Sequence, residues 1–427
     1  MDDPQIQRLL QSAVQERRAG RAEVAAGLFH EVLANAGEHP LALNALGMHA
    51  LALARPSEAA GYFERAIAAD PGAPELWMNL ARARREQRDD PGEAAALEGA
   101  LAIDQRHFMA LVRMAELLER QGDVANAADR WGNVLAMEPS IEERSPALEL
   151  MFDHARAFVA GQRAAFGATI DRGLAAVRDA IPAGERRRAD ACIDHALGRR
   201  AIYANVCAGM HFPFLPAEEY FARDHFPWLA EIEAKTDLIR AELEAILAED
   251  AAAIRPYVAM PPGTPPNKWS ALDHSLQWGA LHLWKDGARD DAACARAPRT
   301  AQAIAALPLS DLPGRTPTVF FSLLQPGAHL PAHTGVSNVR SIVHLPLIVP
   351  PGCSFRVGGE TRDWRAGEAW VFDDTIEHEA WNRSDQLRAI LIFDVWNPYI
   401  TATERDVLRR FYAVAADAGH SAIGVSD

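Results

Sequence analysis

Moving along the 427-residue chain in steps of 34 returns the same residue types again and again. One series is Ala26, Ala60, Ala94 and Ala128; a second is Phe29, Phe63, Leu97 and Trp131; a third is Leu33, Ile67, Leu101 and Leu135. Two further series, Leu43–Trp77–Leu111 and Leu46–Leu80–Met114, are offset onto a preceding helix. Small residues recur where two helices must approach closely, and large ones recur where a core must be filled. Units of this length cannot bury an apolar face alone, so successive copies must stack on one another. Asp70-Pro71 and Glu138-Pro139 punctuate the period, with Gly37 and Gln105 at the equivalent sites.

The period and the Trp77-x-x-Leu80 pattern resemble tetratricopeptide repeats, roughly four copies across residues 4–140. The resemblance implies an all-α solenoid over residues 1–145 whose concave face holds a peptide or partner protein. Residues 146–201 read as a helical connector, with apolar spacing at Ala147-Leu148-Leu150-Met151 and a solvated cluster at Glu185-Arg186-Arg187-Arg188. Nothing in that connector carries chemistry.

Charge and cysteine usage narrow the partners. Lys and Arg total 43 against 58 Asp and Glu, a net charge of −15 without an extended basic run. Such a chain is a poor binder of phosphate backbones, so nucleic acid is not an expected partner. Cys192, Cys207, Cys294 and Cys353 are scattered without paired spacing, which fits neither a disulfide framework nor a cysteine zinc site and points to a reducing compartment. No apolar run reaches the ~18 residues of a membrane span, and the first twenty residues lack a signal peptide's apolar core. A cytoplasmic location without an integral membrane segment is the expectation.

Composition shifts near residue 200. Eight of the ten tryptophans follow it, and a separate domain over 202–427 is expected. A helix fits Leu229–Leu247, followed by the irregular PPGTPPNKW. From Thr318 the pattern turns to short strand-like runs (TVFFSLL, SIVHLPLIV, SFRV, EAWVF, HEAWN, LRAILIFDVW) divided by turn residues. That spacing predicts a jelly roll, closed by a helix over Thr401–Ala418 with Thr401 or Thr403 as its cap. The whole is an α+β multidomain chain: helical repeats, then a double-stranded β-helix with flanking helices.

Two histidines stand at distinctive places in that zone. Gly327 precedes His333 as G-x5-H, and Gly367 precedes His378 and Asn382 as G-x10-H-x3-N. These spacings resemble the two halves of a cupin-type double-stranded β-helix, in which glycine turns aim each imidazole into the barrel mouth. Two imidazoles with open positions suit Fe(II) better than a four-ligand structural zinc. Arg388 follows ten residues after His378 at the head of an apolar strand, and a guanidinium in such a setting needs an anion. Read alone, Arg388 would pair with Asp385 or Asp394. A ligand chelating iron at one end and presenting a carboxylate at the other suits all three side chains, and 2-oxoglutarate has that shape; Ser322 could add a hydroxyl.

The strings FSLLQPGAHLPAHTGVSNVRSIVHLPLIVPPG and WRAGEAWVFDDTIEHEAWNRSDQLRAILIFDVWNP, from Phe321 to Pro398, resemble the aspartyl/asparaginyl β-hydroxylase family. Weaker similarity runs back through SLQWGALHLWKDG to about Ile202. The resemblance implies an Fe(II)- and 2-oxoglutarate-dependent dioxygenase that consumes O2. It implies His333 and His378 as iron ligands and Ser322, His344 and Arg388 as 2-oxoglutarate contacts. Trp278 would line the same pocket, and Arg340 would face cosubstrate or substrate. Family members can carry a second arginine where this chain has Ile342. The usual facial triad places a carboxylate two residues after the first histidine; here that residue is Gly335, which leaves a site for water. Asp373, Asp374, Glu377 and Glu379 are the carboxylates nearby in sequence, but strand alternation turns Glu377 and Glu379 away from His378.

The implied reaction hydroxylates an aspartyl or asparaginyl side chain of a peptide or protein recruited by the repeats. A lipid acyl chain or small metabolite is the alternative substrate, and halogenation at the open site a remoter one. A repeat scaffold with an inactive barrel is the non-enzymatic alternative, against which the intact His333, His378 and Arg388 argue. His30, His39, His49 and His107 read as packing or surface residues of the repeats, and His329 as a turn residue.

Overall fold

The computed structural model describes residues 3–418. It comprises two compact units, Met1–Asp190 and Ala191–Asp427. The first is wholly helical: α1 (Asp3–Arg18), α2 (Ala22–Ala36), α3 (Pro40–Ala52), α4 (Pro56–Ala69), α5 (Pro74–Gln87), α6 (Asp90–Ile103), α7 (Phe108–Gln121), α8 (Val124–Met137) and α9 (Pro146–Ala180), with α10 (Ala183–Ala196) crossing into the second unit in sequence. Consecutive helices pack in pairs, α1 on α2 through α7 on α8, and each pair packs on the next.

Local chemistry explains the boundaries. Pro40, Pro56 and Pro74 stand in the first turn of α3, α4 and α5, where a missing N–H costs nothing. Asp89, His107 and Asp123 cap α6, α7 and α8 through their side chains. The 34-residue series becomes one core position repeated four times: Phe29, Phe63, Leu97 and Trp131 are each no more than 2 % exposed. Gly47 is required by this packing, since a Cβ there would lie 2.5 Å from the Phe63 ring.

The second unit has three layers. Ahead of its sheets lie α11 (Leu229–Glu233) and α12 (Thr236–Glu249). Strands β1 (Arg255–Pro256), β2 (Trp278–Lys285), β3 (Ala288–Arg289), β4 (Val319–Leu324), β6 (Arg340–Ile348), β9 (Trp370–Phe372) and β11 (Arg388–Trp396) form a seven-stranded antiparallel sheet. Its order is β1-β2-β4-β11-β6-β9, with β3 on β2. Strands β5 (His329–His333), β7 (Cys353–Val357), β8 (Glu360–Asp363) and β10 (His378–Asn382) form a second antiparallel sheet in the order β5-β10-β7-β8. Helices α13 (Asp291–Arg296) and α14 (Pro298–Ala305) join β3 to β4, and α15 (Ala402–Asp417) closes the described chain behind a Thr401–Glu404 capping box.

Alternation along the central strands sorts their two faces. Val343, Leu345, Leu347, Leu391, Phe393 and Val395 pack with Ile239, Leu243 and Ile246 of α12. Ile342, Ile390 and Leu324 point the other way, into a core shared with Phe355, Val357 and Ala380 of the small sheet. The sheets remain two facing layers and do not close into a barrel. Burial on both faces also hides β2 from a period-2 reading, so this strand lies outside the runs that the sequence pattern picks out. The helix expected over Leu229–Leu247 is broken at residues 234–235, where the Thr236 hydroxyl donates to the Glu233 carbonyl at 2.6 Å.

Candidate functional site

Gly327, at φ +72°, turns the chain into β5, and Gly367, at φ +83°, turns it toward β9. His333 ends β5 and His378 begins β10, and the antiparallel register sets them opposite each other. Their ring centroids are 4.0 Å apart. Each Nδ1 is anchored to a carbonyl two residues back, His333 on Pro331 at 2.7 Å and His378 on Ile376 at 2.9 Å. Donation from Nδ1–H leaves both Nε2 lone pairs as the ligating positions. Burial pushes His333 down to about 4 and holds His378 well below the ordinary histidine value, so both rings are neutral, as metal ligation requires. Trp269 closes one side, edge-on to His333 at 4.8 Å.

Arg388 lies in the interior of the sandwich, 1 % exposed. Its Nε and Nη1 have no hydrogen-bond partner, and no carboxylate pairs with it among the described residues. Burial lowers it to about 10. His344, on the adjacent strand β6, also has an unpartnered buried Nδ1, and burial together with the Arg388 charge keeps it neutral. Ser322, on β4, accepts the Trp278 indole N–H at 3.0 Å, which leaves its own O–H to donate. A buried guanidinium without a counter-charge is unstable unless an anion joins it, and a carboxylate matches its fork.

Gly335 has its own reason. A Cβ at this position would overlap the Asp374 carboxylate, and the Gly335 N–H donates to the Asp374 carbonyl at 2.6 Å. Asp374 therefore fills the space that a side chain at 335 would take. The same carboxylate lies 3.6 Å from Arg340, whose main partner is Asp394 at 2.7 Å. Burial works against the Arg340 charge, but Asp374 and Asp394 outweigh it and hold the guanidinium above its ordinary value. Among the described residues, no group of three or more His, Cys, Asp or Glu is arranged to hold a metal; the candidate centre is the histidine pair.

The remaining residues separate clearly. Glu377 and Glu379 face away from His378 and engage Arg356. His329 is on that outer face too, stacked on Trp381 and 3.1 Å from Glu379. Asn382 ties the turn after β10, accepting from Ser384 and donating to Gln386. Asp373 accepts from Asn205 at 2.7 Å and from Thr375. The same N-terminal strap donates from Val206 to Thr375 and from Ala208 to Gly335, bracing both histidine loops. Two features lay beyond sequence reasoning: the Asp374–Gly335 contact, and Trp364, whose buried Nε1 is unpartnered. Trp364 belongs to a string quoted for its resemblance, but its composition gives no sign of an orphaned donor.

Residues 233–398 match the family model described as aspartyl/asparaginyl beta-hydroxylase. Residues 10–74 and 44–108 match that of the tetratricopeptide repeat. Human aspartyl/asparaginyl beta-hydroxylase is 38 % identical over 130 residues, 30 % of this chain and 17 % of that protein. The ornithine lipid ester-linked acyl 2-hydroxylase of Rhizobium tropici is 34 % identical over 176 residues, 40 % of this chain and 58 % of its own. Human aspartate beta-hydroxylase domain-containing protein 2 is 29 % identical over 206 residues, 47 % and 53 % respectively. The chain thus spans less than two thirds of each of these relatives. No helix among the described residues is long and apolar enough to cross a membrane.

Proposed function

We propose that this chain, which joins tetratricopeptide repeats to an aspartyl/asparaginyl β-hydroxylase domain, is an Fe(II)- and 2-oxoglutarate-dependent hydroxylase. The observation that carries the reading is Arg388, a guanidinium inside the sandwich with no protein counter-charge among the described residues. His333 and His378 would hold Fe(II) through Nε2. Bound there, the iron would supply, with 2-oxoglutarate and O2, the oxidising power for C–H hydroxylation, coupled to conversion of 2-oxoglutarate to succinate and CO2. Arg388, His344 and the Ser322 hydroxyl bind the distal carboxylate and fix the cosubstrate's orientation. Trp278 positions Ser322, while Trp269 and Phe355 keep water from the imidazoles. Asp374 occupies the space a side chain at position 335 would need, so that position would offer the iron no carboxylate of its own.

The substrate is an aspartyl or asparaginyl side chain of a peptide, recruited by the repeats. A second reading, hydroxylation of an acyl chain, is favoured by the similarity to the ornithine lipid ester-linked acyl 2-hydroxylase and by Arg340, a candidate substrate contact already engaged by Asp394 and Asp374. The test is succinate formation from 2-oxoglutarate with Fe(II) and air, in wild type and His333→Ala. Equal succinate from both would end the catalytic reading. Offering aspartyl peptides and acyl lipids side by side separates the substrates. Deleting residues 1–145 tests recruitment: unchanged peptide turnover would assign the repeats to localisation instead.

A further inference from the structure

We infer that Trp364 is a fourth donor residue of the anion pocket, its indole Nε1–H binding the distal carboxylate of the cosubstrate beside Arg388, His344 and Ser322. The inference rests on the 2-oxoglutarate reading above and extends it to a residue that neither motif nor spacing singles out.

Trp364 is buried, and its Nε1 has no acceptor. Buried indole N–H groups ordinarily find one, because leaving the donor dry is costly. The surroundings are specific. The Arg388 guanidinium carbon is 5.6 Å from the Trp364 ring centre, and the His344 ring stacks at 5.4 Å. Both neighbours carry unpartnered buried nitrogens of their own. Four buried nitrogens without a partner (Arg388 Nε and Nη1, His344 Nδ1, Trp364 Nε1) thus lie on three mutually neighbouring side chains. One carboxylate offers about four lone-pair sites, enough for one bond from each of Arg388, His344, Ser322 and Trp364. The indole is also held rigidly: Trp370 stacks on it at 4.7 Å and Phe355 leans on it at 5.3 Å. A donor fixed this way loses little freedom when the anion arrives.

The test is calorimetric binding to the full-length protein loaded with Mn(II), comparing 2-oxoglutarate with 2-oxobutyrate, which keeps the chelating end and lacks the distal carboxylate. Trp364→Phe retains the ring stack and removes the N–H. It is expected to weaken 2-oxoglutarate about tenfold, as for a lost hydrogen bond to a charged group, and to leave 2-oxobutyrate unchanged. Equal 2-oxoglutarate affinity in wild type and Trp364→Phe overturns the assignment, as does an equal loss for both ligands. If wild type itself discriminates nothing between the two acids, the cosubstrate reading falls and this inference with it. Should the variant not fold, the wild-type indole N–H, assigned in a TROSY spectrum by its NOE to the Phe355 ring, must move downfield on adding glutarate. An unmoved resonance is equally decisive against it.

Discussion

His333 and His378 are register partners across β5 and β10, 4.0 Å apart between ring centres, and each is steered by its own Nδ1 bond to the backbone. The pair is preorganised by strand pairing before any metal arrives. His333→Ala and His378→Ala are therefore each expected to abolish retention of one Fe(II) or Mn(II) per chain. Neither should cost the metal-free fold more than about 1–2 kcal/mol. Metal content after gel filtration and a urea melt check both halves. A variant that keeps its metal would remove its histidine from the ligand set.

Arg388 carries the opposite expectation from an ordinary buried charge. With no carboxylate partner among the described residues, it destabilises the ligand-free protein. Arg388→Met should stabilise that state by about 1–3 kcal/mol while erasing the rise in melting temperature that 2-oxoglutarate gives wild type. Thermal melts with and without 2-oxoglutarate decide it. A less stable, still responsive variant would mean that a group of the protein satisfies the guanidinium.

How much of this was legible in the sequence follows from what each feature depends on. The repeat core could be read because one position recurs every 34 residues, and the Phe29–Phe63–Leu97–Trp131 series is buried throughout. The placing of His333 and His378 against a turn glycine is likewise a short-range pattern. The Asp394 alternative for Arg388 was legible but wrong, since Asp394 pairs with Arg340 across the neighbouring strand. The filling of the Gly335 site by Asp374 depends on two loops meeting, which no local pattern encodes. No local pattern sets Trp364 apart from the other tryptophans, and its missing acceptor emerges only once every neighbour is known. The break between α11 and α12 was hidden because Leu229, Ile232, Ile239, Leu243 and Ile246 keep one apolar face across it.

The contact at Gly335 gives a coupling prediction. Gly335→Ala forces a Cβ into the Asp374 carboxylate and should cost about 1–3 kcal/mol. Combined with Asp374→Ala, most of that cost should vanish, a positive coupling readable in a double-mutant cycle by urea denaturation. Gly335→Asp, which would restore the usual triad residue, meets the same obstacle and should destabilise more. Additive losses would show that the loop moves aside and that Asp374 does not enforce the glycine.

His282 supplies a pH signature away from the histidine pair. It projects from β2 onto Phe320, rings stacked at 4.9 Å, and burial pushes it down to about 4. The unfolded chain takes up a proton near the ordinary value of about 6.5, whereas the folded state resists until about 4. Stability from this group is therefore complete above 6.5, drains away as pH falls between those values, and does not change further below them. His282→Phe keeps an aromatic partner for Phe320 and removes the titration. Between pH 7 and 4 the variant should lose about 2 kcal/mol less than wild type, a figure reduced for solvent screening at a partly buried site. Urea midpoints across that range measure the difference, and parallel curves for the two proteins would show that His282 protonates as freely folded as unfolded.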